Sequence, residues 1–532
     1  MSARAVADAD VAIIGAGFSG ALTALALRRV GRSVILIDRG RHPRFAIGES
    51  STPLANILLE ELAAKYDLPR VAPLSKWGTW RRAYPDLPVG LKRGFSFFHH
   101  TSGRPFDDDR SHARQLLVAA SPHDDIADTH WYRPAFDQFL TVEAQEAGAE
   151  LLDQTRIDRV DFDERGARLD LTRDGVSQVV TTRFVIDASG PRGVLHRLLA
   201  LDEAPTKWLP ATEGLYTHFE GVARWDQAVR PETGVPYPVD DAAVHQVFPG
   251  GWIWILRFDN GLTSAGAAVM PSLARELRLE EGEAAWHRLL DRLPSVRAQF
   301  AAARPTLPFV HAPRVAFRSG VVCGQRWAML PSAAGVIDPL LSTGFPLTLL
   351  GVGRLVDLLQ RTWEGPGRQT ALDEYAQQTQ RELDATERLV AALYATMNDF
   401  DLFKRITRLY FAAASFSETA RRLGRHDLAP GFLLCDHPAF GPAVRVIADI
   451  AMVGPTGRAR ANLCDEIDRV IEPFDLAGLG DDSRRDWYPV LAEDLVAGRD
   501  KLGATRAEID GLLARCGFGA REIADCGLRV AN

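Results

Sequence analysis

The chain has 532 residues, which allows two to four modules at roughly 150 residues each. Hydrophobic residues make up 46% and charged residues 25%, a balance that excludes a disordered or fibrous chain. A net charge of −7 leaves no net basic surface to neutralise phosphates, which excludes a nucleic-acid binder.

The first element is an apolar, β-branched run at residues 11–14, suited to a strand buried on both faces. Gly15-Ala16-Gly17-Phe18-Ser19-Gly20 follows, then a helix over 21–29 and a second strand over 33–37 ending at Asp38. Strand, glycine turn, helix, strand and acid form the dinucleotide fingerprint in the context it requires. The first glycine permits the turn, the second lets a pyrophosphate approach the backbone, and the third allows close helix–strand packing. The helix N-terminus offers N–H groups and positive partial charge to the phosphates. Asp38 is placed to accept from a ribose hydroxyl. Residues 11–27 are apolar but hold three glycines and lack a basic flank, so they are not an export signal.

Downstream, the pattern predicts a helix over 135–147, alternating strands over 151–171 and a parallel strand over 184–190 ending in a glycine turn. Residues 210–310 predict a mostly antiparallel sheet with strands at 214–219, 245–248, 252–258 and 262–269. A last core strand is expected at 327–330 and a helix at 345–361. From 366 onward the chain reads as helical, most clearly over 371–397 and 401–423. Residues 327–353 are long and apolar, but Asp338, Pro339 and Pro346 speak against a membrane span. One fingerprint, a second nucleotide-contacting strand and no further glycine pair in the right context fit FAD better than NAD. The expected fold is α/β: a discontinuous FAD-binding Rossmann-like module over 1–365, with an antiparallel substrate-side sheet inserted at about 205–310. A mainly helical C-terminal region over 366–532 is expected to cover the substrate pocket.

His42-Pro43-Arg44-Phe45-Ala46-Ile47-Gly48-Glu49-Ser50, with the fingerprint before it, resembles flavin-dependent halogenases and their geranylgeranyl-reductase relatives. Three stretches favour the halogenases, and the resemblance spans roughly residues 8–420. Gly90-Leu91-Lys92-Arg93-Gly94-Phe95-Ser96-Phe97 looks like the segment carrying their essential lysine, which maps to Lys92. Trp252-Ile253-Trp254-Ile255-Leu256-Arg257 is similar to the WxWxIP signature. Gly335-Val336-Ile337-Asp338-Pro339-Leu340-Leu341-Ser342-Thr343-Gly344 resembles the loop whose Thr-Gly amides hold halide. The wording around Lys92 is most like the phenol-halogenating branch.

The resemblance implies an enzyme that uses FADH2, O2 and chloride or bromide to halogenate an electron-rich, phenolic aromatic through hypohalous acid guided by Lys92. It implies FAD contacts from Gly15, Ala16, Gly17, Ser19, Gly20, Asp38, Gly48, Glu49, Arg133, Asp338 and Phe345, and halide contacts from Thr343 and Gly344. Phe95, Trp252 and Trp254 would face substrate. A separate flavin reductase would supply reduced flavin, and the substrate would be free or tethered to a carrier protein. No nucleic-acid, membrane or metal partner is implied.

These residue types suit the chemistry. A lysine can hydrogen-bond the oxidant as an ammonium or be halogenated as an amine, and burial tunes between the two. Phe95, Phe97 and Phe98 are expected to give it apolar surroundings. Consecutive backbone N–H groups in the 335–345 loop suit an anion without a fixed positive charge. Two tryptophans at i and i+2 on a strand share a face, where bulk would keep organic substrate from the flavin. The tail aromatics, among them Tyr394, Tyr410 and Phe411, are expected in the core, with some lining a flat pocket above Lys92. His99, His100, His130 and His245 lack metal spacing and are expected at the surface or behind the site. Five cysteines (323, 435, 464, 516 and 526), odd in number, fit a reduced, cytoplasmic protein.

Some positions depart from the family. Leu256 and Arg257 stand where the signature has isoleucine and proline. Pro331-Ser332 stand where many relatives have Gly-Asp at the ribityl chain. Leu341 stands where tryptophan halogenases carry a glutamate, which makes a phenol, activated by its own hydroxyl, the easier target. The rival expectations are a flavin hydroxylase or unsaturated-lipid reductase on the same scaffold, and a non-catalytic flavin-binding partner protein.

Overall fold

The computed structural model describes residues 4–107, 111–228, 234–519 and 523. Strand β1 (Arg4–Ile14), helix α1 (Phe18–Arg29) and strand β2 (Val34–Ile37) form the opening unit. Helix α2 (Pro53–Lys65) starts at a proline, and Thr52 caps it by accepting from the Ala55 amide at 3.1 Å. Strands β3 (Val89–Lys92), β4 (Gly94–His99), β5 (Gln115–Ala119) and β6 (Asp128–Trp131) lead into α3 (Arg133–Glu146). Next come β7 (Glu150–Leu152), β8 (Thr155–Phe162), β9 (Ala167–Arg173) and β10 (Val176–Asp187). A second run follows: β11 (Glu213–Glu220), β12 (Ala243–Phe248), β13 (Gly251–Arg257) and β14 (Thr263–Val269). The long helices α4 (Gly344–Thr362), α5 (Arg368–Thr396) and α6 (Phe400–Arg422) lie within two residues of the predicted ranges at every end but the start of α5.

The first sheet runs parallel in the order β10-β1-β2-β7, with Trp327–Met329 parallel on the far side of β10. The chain leaves β1 toward β2 on one side and later returns as β10 on the other, so strand order reverses at the end of β1. That crevice is where open α/β sheets bind ligands. Val11, Ala12 and Ile13 are wholly buried, as strands covered on both faces require.

The second sheet carries β11-β14-β13-β12 antiparallel, as expected, but it is larger than the predicted insertion. Strand β4 pairs in parallel with β12, β5 joins β4, and Trp487–Tyr488 joins β5. The open edge of β12 is thus completed by segments far away in the chain, a pairing that strand periodicity cannot foresee. Along β13 the side chains alternate between two cores. Trp252, Trp254 and Leu256 pack toward the first sheet and helices, whereas Ile253 and Ile255 pack with Phe98, Phe106 and Trp225.

The apolar stretch 327–353 resolves into Trp327–Met329, a turn of helix at Pro331–Ala334, a 3₁₀ turn at Leu340–Ser342 and the start of α4. Among the described residues, no helix is long and apolar enough to cross a membrane.

Candidate active site

At the end of β1, Gly15 has φ +102°, and a Cβ there would lie 2.7 Å from the Ala188 carbonyl oxygen of the neighbouring strand end. A Cβ on Gly20 would lie 1.9 Å from the Gly15 oxygen. Only glycine lets the turn fold back onto α1. Gly17 caps α1 without a side chain, leaving the amides of the first turn facing outward. Ser19 is buried in that first turn. Asp38 accepts from the Ala16 amide at 2.8 Å, the Gly40 amide at 2.8 Å and Arg44 at 2.9 Å. Its carboxylate therefore holds the glycine loop in shape.

The 42–51 segment wraps this loop. His42 meets the Ala16 carbonyl at 2.8 Å, and Arg133 donates to the carbonyls of Ile47 and Gly48 while pairing bidentately with Asp137 at 2.7 Å. Arg133 therefore fastens the Gly48 turn to α3, and this pairing occupies most of its donors. Glu49 is buried against His218 at 2.7 Å, and its second oxygen has no partner. A glycine cradle at a strand-order reversal, uncapped amides and a buried unpartnered carboxylate oxygen suit a flavin dinucleotide.

Glu49, Ser50 and Ser51 run beside β6, with the Trp131 amide donating to the Glu49 carbonyl and the Ser51 amide to the Thr129 carbonyl. This brings the motif to Lys92, at the end of β3. The Lys92 side chain is wholly buried; its ammonium donates to Ser50 Oγ at 2.8 Å and to the Ser51 carbonyl at 2.5 Å, and lies 3.8 Å from the centre of the Phe95 ring. Burial pulls its pKa down to about 7, against the opposing pull of Asp128. Asp128 is its register partner across β3 and β6. Burial pushes this carboxyl up to about 8, while Lys92 holds it down. Asn56 on α2 donates to Asp128 Oδ1 at 2.6 Å, and Oδ2 has no partner. His130 and His245, both fully buried, are kept neutral by desolvation first and the Lys92 charge second.

On the other side, the 335–345 loop carries two consecutive non-glycine residues in the left-handed region, Leu341 at φ 65° and Ser342 at φ 54°. Such residues cost of order 1–3 kcal/mol each and persist where a shape is functionally required. They aim Thr343 and Gly344 into the N-terminus of α4. A Cβ on Gly344 would meet nothing within 4 Å, so this backbone borders open space. Phe345 stacks on Trp131 at 4.1 Å and lies edge-on to Phe18 at 5.0 Å, joining the loop to α1 and β6. Asp338 lies behind the loop. It accepts from the Leu340 amide at 3.0 Å, Tyr394 at 3.0 Å and Thr212 at 3.3 Å, and the Trp252 indole donates to the Tyr394 oxygen at 3.0 Å.

A cavity of about 480 Å³ opens between α2, β4, β5 and α6. Phe95, Tyr410 and Phe411 form its aromatic wall, Asn56 and Asp128 its polar inner wall, and the Glu60, Glu418 and Arg422 ion network part of its rim. Phe95, which lines the cavity, carries the Lys92 ammonium against its ring. Trp252 and Trp254 share a face, with centroids 5.6 Å apart, but are not among the cavity's lining residues; they pack between the second sheet and the loop.

Several expectations need correction. Phe98 points away from Lys92 into the second core because successive strand residues face opposite ways. His100 is buried rather than superficial and meets Gln246 at 2.7 Å, whereas His130 and His245 lie buried behind the site, facing Lys92. Arg257, in place of the usual proline, pairs with Asp240 at 3.1 Å and donates to the carbonyls of Val222 and Ala223. The residue there is a staple between strand and loop. Pro331 packs against Gly351 of α4, where a Cβ would come within 2.2 Å. Asn56 and Asp128 were missed in the sequence, and Ser50 and Tyr394, though named there, were given no hydrogen-bonding role. The i→i+6 step from Ser50 to Asn56 carries no motif, and only strand register reveals Asp128.

The tryptophan halogenase family matches residues 129–408, and an NAD(P)-binding Rossmann-like domain matches residues 13–57. The chain is 28% identical over 408 residues to the monodechloroaminopyrrolnitrin halogenase PrnC of Pseudomonas fluorescens, covering 75% of this chain and 70% of that protein. It is 28% identical over 416 residues to the tetracycline 7-halogenase of Kitasatospora aureofaciens, covering 76% and 73%. The crystal structure of halogenase PltM with phloroglucinol and FAD superposes with a TM-score of 0.79 at 25% identity, covering 90% of this chain and 99% of that one. The chain belongs to the tryptophan halogenase family and is an FAD-dependent halogenase.

Proposed function

We propose that this enzyme halogenates an electron-rich, phenolic aromatic held in the 480 Å³ cavity, with Lys92 guiding the oxidant to the ring. The observation that carries this reading is the buried Lys92 ammonium, held between the Ser50–Ser51 motif and the Phe95 wall. Bound as its reduced form, FAD supplies with dioxygen and halide the hypohalous acid that the ring consumes. Gly15, Ala16, Gly17, Ser19, Gly20 and Asp38 hold its dinucleotide part, and Gly48, Glu49 and Phe345 border its ring end. Arg133 and Asp338 act behind them by fixing backbone. Thr343 and Gly344 hold the halide. Lys92 donates a hydrogen bond to the oxidant in a pocket dry enough to strengthen it.

Residues 1–365 form the flavin-binding part, and the helices from 366 onward close the substrate cavity. The cavity exceeds a single ring in size, which favours a phenol bearing a second ring or a long substituent, free or carrier-bound. A separate flavin reductase supplies the reduced cofactor. Cys323, Cys435, Cys464 and Cys516 are free thiols, in keeping with a reduced, cytoplasmic setting; Cys526 lies outside the described residues.

The test is a panel of phenols, pyrroles and indoles with bromide and a flavin reductase, read by mass spectrometry. Phenols are expected to gain bromine. Gain of oxygen or of two hydrogens in its place would assign a hydroxylase or reductase. Lys92→Ala is expected to lose aromatic bromination while still reoxidising flavin, and unchanged bromination would remove Lys92 from its role.

A further inference from the structure

The position taken by Leu341 offers no carboxyl to the reaction, yet a carboxyl faces the same ammonium from another strand. Asp128 lies directly across from Lys92 in the β3–β6 pair. Asn56 fixes one of its oxygens at 2.6 Å, while the other is buried with no partner. Its residue forms the polar inner wall of the cavity beside Phe95 and Tyr410. A buried carboxyl oxygen left unpaired costs stability, and such groups persist where chemistry uses them.

We propose that Asp128 is the proton acceptor of the halogenation step, working as a pair with Lys92. This rests on the assignment of Lys92 above. The aromatic carbon attacks the halogen of hypohalous acid, so the carbon–halogen bond forms as the halogen–oxygen bond breaks and its electron pair leaves with hydroxide. Lys92 protonates that hydroxide to water. Asp128 takes the proton shed by the ring carbon and releases it to solvent, from which the Lys92 amine regains the proton it gave, so both groups return to their starting state. The sum is arene plus hypohalous acid to haloarene plus water. Burial raises the proton affinity of the Asp128 carboxyl, which makes it a ready acceptor once ionised, and lowers that of the Lys92 amine, which makes its ammonium a ready donor.

The test compares wild type with Asp128→Asn, using whichever phenol of the panel is brominated fastest, in ring-protonated and ring-deuterated forms. FAD content and thermal midpoint serve as controls for folding. Wild type is expected to brominate both forms at one rate, since proton removal is fast. Asp128→Asn is expected to lose roughly 10²-fold in bromination per flavin oxidised and to show a normal isotope effect, because removal of the ring proton now limits the rate. A merely structural role for Asp128 would slow both forms alike. If Asp128→Asn does not retain FAD, Asn56→Ala, which keeps the carboxyl but frees it, is expected to show a smaller isotope effect of the same sign. Wild-type rates, or a slowed variant without an isotope effect, overturn the proposal. Continued bromination by Lys92→Ala overturns the Lys92 assignment instead.

Discussion

Asp338 and Asp128 are both buried aspartates within reach of the second sheet, and burial raises both carboxyls, to about 6 and about 8. Their surroundings part company at the hydrogen bonds. Asp338 fills both oxygens, with the Leu340 amide on one and with Tyr394 and Thr212 on the other, and Tyr394 in turn holds the Trp252 indole. That chain spans the loop, helix α5 and strand β13, so its carboxyl acts as scaffold. Asp128 fills one oxygen only and sits at a cavity beside an ammonium. A satisfied buried carboxyl holds a shape, whereas an unsatisfied one remains free to exchange a proton.

Exchanging each aspartate for asparagine sharpens the contrast most. Asp128→Asn should keep the fold and lose activity as described above. Asp338→Asn should do the reverse: its amide nitrogen cannot accept, and the loss should be about 1–3 kcal/mol in denaturant unfolding, with the surviving folded enzyme still brominating. Equal stability losses in the two variants would erase the distinction.

Tyr394→Phe should cost about 1 kcal/mol by stripping the Trp252 indole and one Asp338 oxygen of a partner, and should leave the Lys92 chemistry intact. A variant that keeps its stability but leaks free hypohalous acid would instead give Tyr394 a part in retaining the oxidant.

The Lys92–Asp128 pair should also show itself in pH dependence. Lys92 is faced by Asp128, His130 and His245, and Asp128 by Lys92, Glu418 and Arg422. Activity needs Asp128 ionised and Lys92 protonated, so across about 7 to 8 bromination per flavin oxidised should rise as the carboxyl loses its proton and fall as the ammonium loses its own. Asp128→Asn removes the charge that raises Lys92, so its residual activity should fall at lower pH. An alkaline limb that stays put in that variant would argue that the pair does not titrate together.

The smallest effect is expected at the scaffold's own edge. Gly344→Ala meets no atom, so its midpoint should stay within about 0.5 kcal/mol of wild type, while the bromide concentration for half-maximal rate rises.

What could be read directly from residue order was local. The fingerprint from Gly15 to Gly20, the acid at 38 and the helices from 344 to 422 depend on neighbours within a turn or two, and glycine placement and apolar periodicity encode such contacts. Lys92 was legible through the wording around it. The inward turn of His130 and His245, the outward turn of Phe98 and the growth of the second sheet to include β4 and β5 were not, because each depends on which strands pair. The same holds for the groups that set the chemistry of Lys92. Ser50, Asn56 and Asp128 come from a loop, a helix and a strand, and are brought together only when β6 closes against β3 and the 42–51 segment. Chain order decides which residues exist to be used. Only their packing into a dry interior decides which carboxyl is filled and which is left open, since desolvation and hydrogen-bond supply belong to the folded surroundings and not to any residue alone.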